Sequence, residues 1–173
     1  MAYATNFDKH MKRALEKSVR KLTWTPGWHP KGQHWRVDLA GLEGKRPRVF
    51  IEAELKKDDP AANVIKIWRW ARDEKNTKRI LFVHGFSKLY WQKKVRLRER
   101  AEFVGARMAE AGLRIDYKPR RIRYRNKSGR WVYFTPKTGR GFHAKEGAGR
   151  LTHAAQGLAK EVTRLIHSTL TIN

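Results

Sequence analysis

Residues 48–57 read RVFIEAELKK, and the fold follows from how their side chains alternate. Phe50 and the set Ile51, Ala53 and Leu55 favour a pleated, half-buried strand. Successive side chains of a strand point to opposite faces. Ile51, Ala53 and Leu55 therefore share one face, and Glu52, Glu54 and Lys56 share the other. Taken alone, a charged face opposite an apolar one is also what a half-exposed antiparallel strand shows.

Working outward, HWRVDLAG at 34–41 reads as a second strand, with Trp35, Val37 and Leu39 alternating with Arg36, Asp38 and Ala40. The turn-rich LEGKRPR between the two predicts a hairpin. Upstream, TWTPGWHPKGQH at 23–34 is a turn-rich connection with a short extended piece at Trp24. Before it lies a helix capped by Asn6 and running to about Leu22, with Phe7, Met11 and Leu15 on its apolar face. Downstream, Asp58-Asp59-Pro60 is a helix start, an acidic cap followed by Pro. Val64, Ile67, Trp68 and Ala71 form that helix's buried face, and Trp70 falls off it. RILFVHG at 79–85 has the continuous apolar run of a buried parallel strand. Ser87 then caps one long helix to Gly112, with core residues Leu97, Ala101, Val104, Met108 and Ala111. Leu113–Tyr117 makes a further strand. NKSGR at 126–130 turns a hairpin between RRIRYR and RWVYFTP, and a last helix spans about 148–169. The order predicts an α/β protein with a mixed central sheet flanked by helices, and a basic hairpin and C-terminal helix appended. One domain, 1–173, is expected, with a core over 1–117 and the basic hairpin and C-terminal helix over 118–173.

The chain has 173 residues, 40 Lys+Arg and 16 Asp+Glu, a formal charge of +24. A compact body so charged repels itself and should meet a polyanion, nucleic acid first. No apolar run approaches the ~20 residues of a membrane span. The N-terminus lacks an apolar signal core, so a cytoplasmic protein without membrane contact is expected. There is no cysteine, which excludes disulfides, thiolate zinc sites and a Cys nucleophile.

Asp38 gives the charged face of 48–57 its meaning. It sits on the polar phase of the neighbouring strand, where pairing brings it near Glu54. Two carboxylates held together repel unless a cation joins them. Hard oxygen ligands suit Mg²⁺, which binds through one or two carboxylates plus water and phosphate. Lys56, two residues beyond Glu54, places an ammonium where it could hold a water or a phosphate.

Asp38, fifteen residues, then Glu54-Leu55-Lys56 resembles the PD-(D/E)xK nuclease superfamily, which includes restriction endonucleases and Holliday-junction resolvases. The position before Asp38 is Val37, where the pattern has Pro. The resemblance covers about residues 7 to 85 and implies a restriction-endonuclease-like core. It implies that Asp38 and Glu54 ligate Mg²⁺, with Mn²⁺ substituting, and that Lys56 assists the attacking water. Glu52 would be a secondary ligand, and Glu16 matches an acidic residue some members carry on the first helix. The activity implied is a metal-dependent DNA endonuclease. Restriction-type duplex cleavage is the first reading and junction resolution the second. Symmetric cutting of two strands calls for a homodimer. From another class, a non-catalytic basic nucleic-acid-binding protein would share the bulk properties but has no use for paired carboxylates facing phosphates.

His84 ends the strand 79–85, where it either faces the same site edge or is satisfied by backbone. No phosphate-binding P-loop pattern appears. The grip is assigned to Lys118, Arg120, Arg121, Arg123, Arg125, Lys127, Arg130, Trp131, Lys137 and Arg140. The cations would neutralise phosphates, and the interleaved Tyr124, Trp131 and Tyr133 would stack on bases or build a local core.

Overall fold

The computed structural model describes residues 2–55, 59–74, 78–136 and 145–170. Helix α1 (Ala2–Ser18) leads into strand β1 (Thr23–Pro26), followed by β2 (Leu39–Glu43), β3 (Arg46–Glu54), helix α2 (Pro60–Asp73) and strand β4 (Ile80–Phe86). Helices α3 (Lys88–Gln92) and α4 (Val95–Glu110) precede β5 (Ile115–Arg121), β6 (Arg123–Arg125), β7 (Trp131–Tyr133) and helix α5 (Lys145–Thr169). Five strands form a mixed sheet in the order β1-β2-β3-β4-β5. Strands β1, β2 and β3 pair antiparallel, and β3, β4 and β5 parallel. The sheet is flanked by helices on both faces, as the alternation of elements predicts.

The phase expected of this stretch holds over the described residues 48–55. Leu39, Val49, Ile51 and Leu55 pack with α1 and α5. Phe50 packs on the other face with Val64, Ile67 and Trp70 of α2 and with Ala101 and Met108 of α4. Glu52 and Glu54 share the face of Phe50 and are both buried. Gly44, at φ 62, makes the β2–β3 turn in a conformation that a Cβ would strain.

Four local expectations change. Helix α1 begins at Ala2, so Asn6 lies within it instead of capping it. Strand β2 begins at Leu39, so Asp38 immediately precedes it. The helix expected over 88–112 is two, parted where Lys94 leaves helical geometry at φ −121, ψ 37, and Ala111 is an exposed C-cap. In α2 the tryptophans exchange roles. Trp70 is buried edge-on against Phe50 and Trp28, at 5.2 and 5.9 Å, and Trp68 is half-buried. The cap of α2 is as read, with Asp59 Oδ1 accepting from Ala61 N at 3.1 Å.

The 126–130 hairpin forms, pairing Arg123 with Tyr133 and Arg125 with Trp131. Its inner face is apolar: Ile122 and Phe134 are buried in the same cluster as Phe7, Leu151 and Leu158. Helix α5 packs beside α1 on one face of the sheet and is integral to the core. Gly157 permits the approach of the ribbon, because a Cβ there would lie 2.3 Å from Arg123 O.

Candidate functional site

The acidic site lies at the C-terminal ends of the parallel strands β3 and β4, the edge where open α/β sheets bind ligands. Its organising contact follows from the early end of β2. The Ala53 N–H points past the end of the ladder and needs a partner. Asp38 Oδ2 accepts it at 2.8 Å, which fixes the Asp38 carboxyl between the flanking residues Glu52 and Glu54.

Helix α2 supplies the counter-groups. Asn63 and Lys66 are three residues apart and so share a helix face. Asn63 Nδ2 donates to Glu54 Oε1 at 2.6 Å. Lys66 Nζ lies 2.6 Å from Glu52 Oε1 and donates to Asn63 Oδ1 at 2.7 Å and to Arg36 O at 2.6 Å. The Glu52 contact is an ion pair without hydrogen-bond geometry, so two of the three ammonium hydrogens are used and the buried Glu52 Oε1 has no hydrogen-bond partner among the described residues. On β4, His84 is fully buried, with Nε2 2.9 Å from Glu54 Oε1 and Nδ1 3.0 Å from Tyr117 Oη. A carboxylate only accepts, so Nε2 carries the hydrogen, and in the neutral tautomer the Tyr117 hydroxyl donates to Nδ1. Burial, Glu102 and Glu54 raise the Tyr117 pKa and keep that proton in place. Gly105 makes room for Tyr117, since a Cβ there would meet the ring at 2.3 Å.

Burial, with like charge adding to it, raises the carboxyl pKa values of the site. Burial raises the Glu52 carboxyl well above the ordinary range, the Asp38 charge adds to this, and Lys66 opposes it. Asp38 is raised by burial and by Glu54, against the pull of the Ala53 N–H and Lys66. Asp8, on α1, is pushed up to about 8 by burial and then by Asp38, with Arg36 opposing. Without a cation, the cluster meets its like charges by holding protons.

Asp38, Glu52, Glu54 and His84 are thus brought together. Glu16 is not: it pairs with Lys12 at 3.2 Å on the solvent side of α1, and Asp8 is the acidic residue of that helix that reaches the site. Lys56, Lys137 and Arg140 lie outside the described residues. Sequence reading missed Asp8, Asn63, Lys66 and Tyr117. The signal for Asn63 and Lys66 was the spacing 63, 66, 67, 70, which becomes one stripe once Trp70, not Trp68, is taken as the anchor of α2.

The grip residues form a second, separate group. Lys118 and Arg120 are half-buried on β5, and Arg120 lies 3.9 Å from Glu161. Arg123 pairs with Glu161 at 3.1 Å. Arg121, Arg125, Lys127, Arg130 and Trp131 are exposed. Tyr124 is half-buried against the core.

Comparisons with protein-family models, with curated proteins and with solved structures give no match to this chain. No helix among the described residues is long and apolar enough to cross a membrane.

Proposed function

We propose that the protein is a metal-dependent DNA endonuclease with a restriction-endonuclease-like core. The observation that carries this reading is the Asp38–Glu52–Glu54 cluster, with Glu52 and Glu54 buried and Asp38 half-buried in a chain of charge +24, and with Lys66 as its lysine partner among the described residues. Among the described residues no three His, Asp or Glu side chains form a ready metal cage. A hard cation needs only one or two carboxylates, with water and phosphate completing its shell. The oxygens of Asp38 and Glu52 fit that role, because crowded carboxyls are the ones a cation relieves.

Asp38 and Glu52 would hold Mg²⁺ or Mn²⁺. When bound, the metal supplies a more acidic water and neutralises charge on the phosphodiester. Asn63 and His84 fix the Glu54 carboxylate. Asn63 and the Arg36 carbonyl orient Lys66 Nζ, and its third hydrogen, which makes no hydrogen bond to Glu52, is the donor available to a phosphate oxygen. Lys56 would assist the attacking water, as the sequence pattern implies. A homodimer would present two such sites to two strands.

The test is incubation of supercoiled plasmid, linear duplex and a four-way junction with Mg²⁺, Mn²⁺ or EDTA. Wild type runs beside Asp38→Ala, Glu52→Ala and Lys66→Ala. Metal-dependent cutting that the variants lose is the expected result. Discrete plasmid fragments identify restriction-type cleavage, and selective junction cutting identifies resolution. Binding without cutting under every condition overturns the enzyme reading in favour of a non-catalytic nucleic-acid-binding protein.

A further inference from the structure

The outward face of the β6–β7 ribbon is an alternation of guanidinium groups and aromatic rings. Ribbon pairing sets Arg123 beside Tyr133 and Arg125 beside Trp131, with Arg121 just before them at the end of β5. The Arg123 and Arg125 guanidiniums lie 4.5 and 5.1 Å from the Trp131 ring centroid. Arg121 lies 5.4 Å from the Tyr133 ring, hydrogen-bonds its hydroxyl at 2.5 Å, and lies 4.1 Å from the Trp91 ring of α3. Arg98 of α4 lies 3.9 Å from that same ring. The array therefore continues from the ribbon onto α3 and α4.

Two observations say what this array meets. Trp131 and Tyr133 remain 48% and 39% exposed, a large aromatic area left in water. Arg121, Arg125, Lys127 and Arg130 make no ion pair with any described carboxylate, so their charge is free for phosphates. A duplex hides the faces of its bases and offers only their edges, so it would leave the exposed rings of the ribbon without a partner. An unpaired strand offers base faces and phosphates together.

The array is rooted at the site edge. Ser87 N donates to Glu54 O at 3.1 Å, Lys88 N to Phe134 O at 2.8 Å, and Ile122 N to Phe86 O at 2.9 Å. We propose that the ribbon's outer face is a stacking platform for unpaired DNA bases, so that the substrate carries a single-stranded segment beside the bond to be cut. The platform rests on the DNA reading above; its binding does not require the cluster to be catalytic.

The test measures binding in EDTA, where cleavage is absent. Fluorescence anisotropy compares a labelled 20-nucleotide oligothymidine with a 20-base-pair duplex. The variants are Trp131→Ala/Tyr133→Ala and, as conservative control, Trp131→Phe/Tyr133→Phe. Wild type should bind the single strand more tightly than the duplex. The alanine pair should lose about tenfold or more on the single strand and less than about twofold on the duplex, and the phenylalanine pair should restore most of the loss. Tryptophan fluorescence should be quenched by the oligothymidine in wild type and less so in Trp131→Ala. Equal losses on both ligands, no loss at all, or a wild-type preference for duplex overturns the proposal. Single-strand binding that depends on the rings, in a chain that cuts nothing, sustains this inference while the nuclease reading fails.

Discussion

The carboxylate cluster and the arginine ribbon share one edge of the sheet, yet they handle charge in opposite ways. The cluster takes acidic groups largely out of water, holds Asp38 and Glu54 by hydrogen bonds and Glu52 by an ion pair to Lys66, and has carboxyl pKa values raised by burial. The ribbon keeps its cations in water, spreads them over aromatic rings and leaves several without acidic partners. Desolvated charge is expensive and is retained where its exact position matters to a reaction. Solvated charge costs little and acts at a distance on a polyanion. Chemistry at the cluster and capture at the ribbon should therefore be separable by mutation.

The largest effect should come from Glu52→Ala, which we expect to lower cleavage by at least about a hundredfold. Binding to oligothymidine in EDTA should stay within about twofold. If cleavage and binding fall together, the separation fails. Two glycines then test each region through its packing. Gly105→Ala should displace Tyr117 and with it His84, and Gly157→Ala should push the ribbon off α5. Each should cost about 1–3 kcal/mol of stability in thermal or urea unfolding. Gly105→Ala should impair cleavage more than binding, and Gly157→Ala the reverse.

A smaller effect is expected for Arg121→Ala/Arg125→Ala. Each lost phosphate contact reduces the salt slope of single-strand binding by about 0.7. Titrations at several salt concentrations should show a slope shallower by about 1.4 for the pair and an unchanged slope for Glu52→Ala.

The smallest concerns pH and stability. Asp8, Asp38 and Glu52 have folded-state pKa values raised above their unfolded ones, so the folded chain binds more protons. Stability should fall as pH rises from about 4 to about 8. Thermal scans in EDTA should show this decline, and Mg²⁺ should offset it at pH 8. Asp38→Asn keeps an acceptor for Ala53 N and removes a charge. It should stabilise the chain at pH 8 by about 1 kcal/mol, roughly 2–4 °C, while cleavage is lost. A variant that is less stable at pH 8 would contradict this account of the cluster.

The cluster and the ribbon also differ in how far the sequence reveals them. Strand periodicity is short-range, so the common face of Glu52 and Glu54, the Asp38 neighbourhood and the 126–130 turn are all legible. Helix phase is less secure where two large apolar residues compete. Trp68 and Trp70 both suit a buried stripe, and Trp28, from a Pro/Gly-rich loop, selects Trp70. That choice turns Asn63 and Lys66 toward β3. The preference for Asp8 over Glu16 depends on where α1 crosses the end of β3, a tertiary fact with no local signature. The break at Lys93–Lys94 has no Pro or Gly to announce it, and the helices on either side bury Tyr90, Ala101 and Met108 in one cluster.

Gly157 has a consequence for how such a protein could change its target. The ribbon shares Ile122 and Phe134 with the main core and meets α5 where only a hydrogen fits. It is welded to the body of the fold and cannot be exchanged as a cassette, since a foreign hairpin would arrive without the matching seam. New specificity would have to be written by single substitutions on its outer face, with the scaffold beneath left untouched.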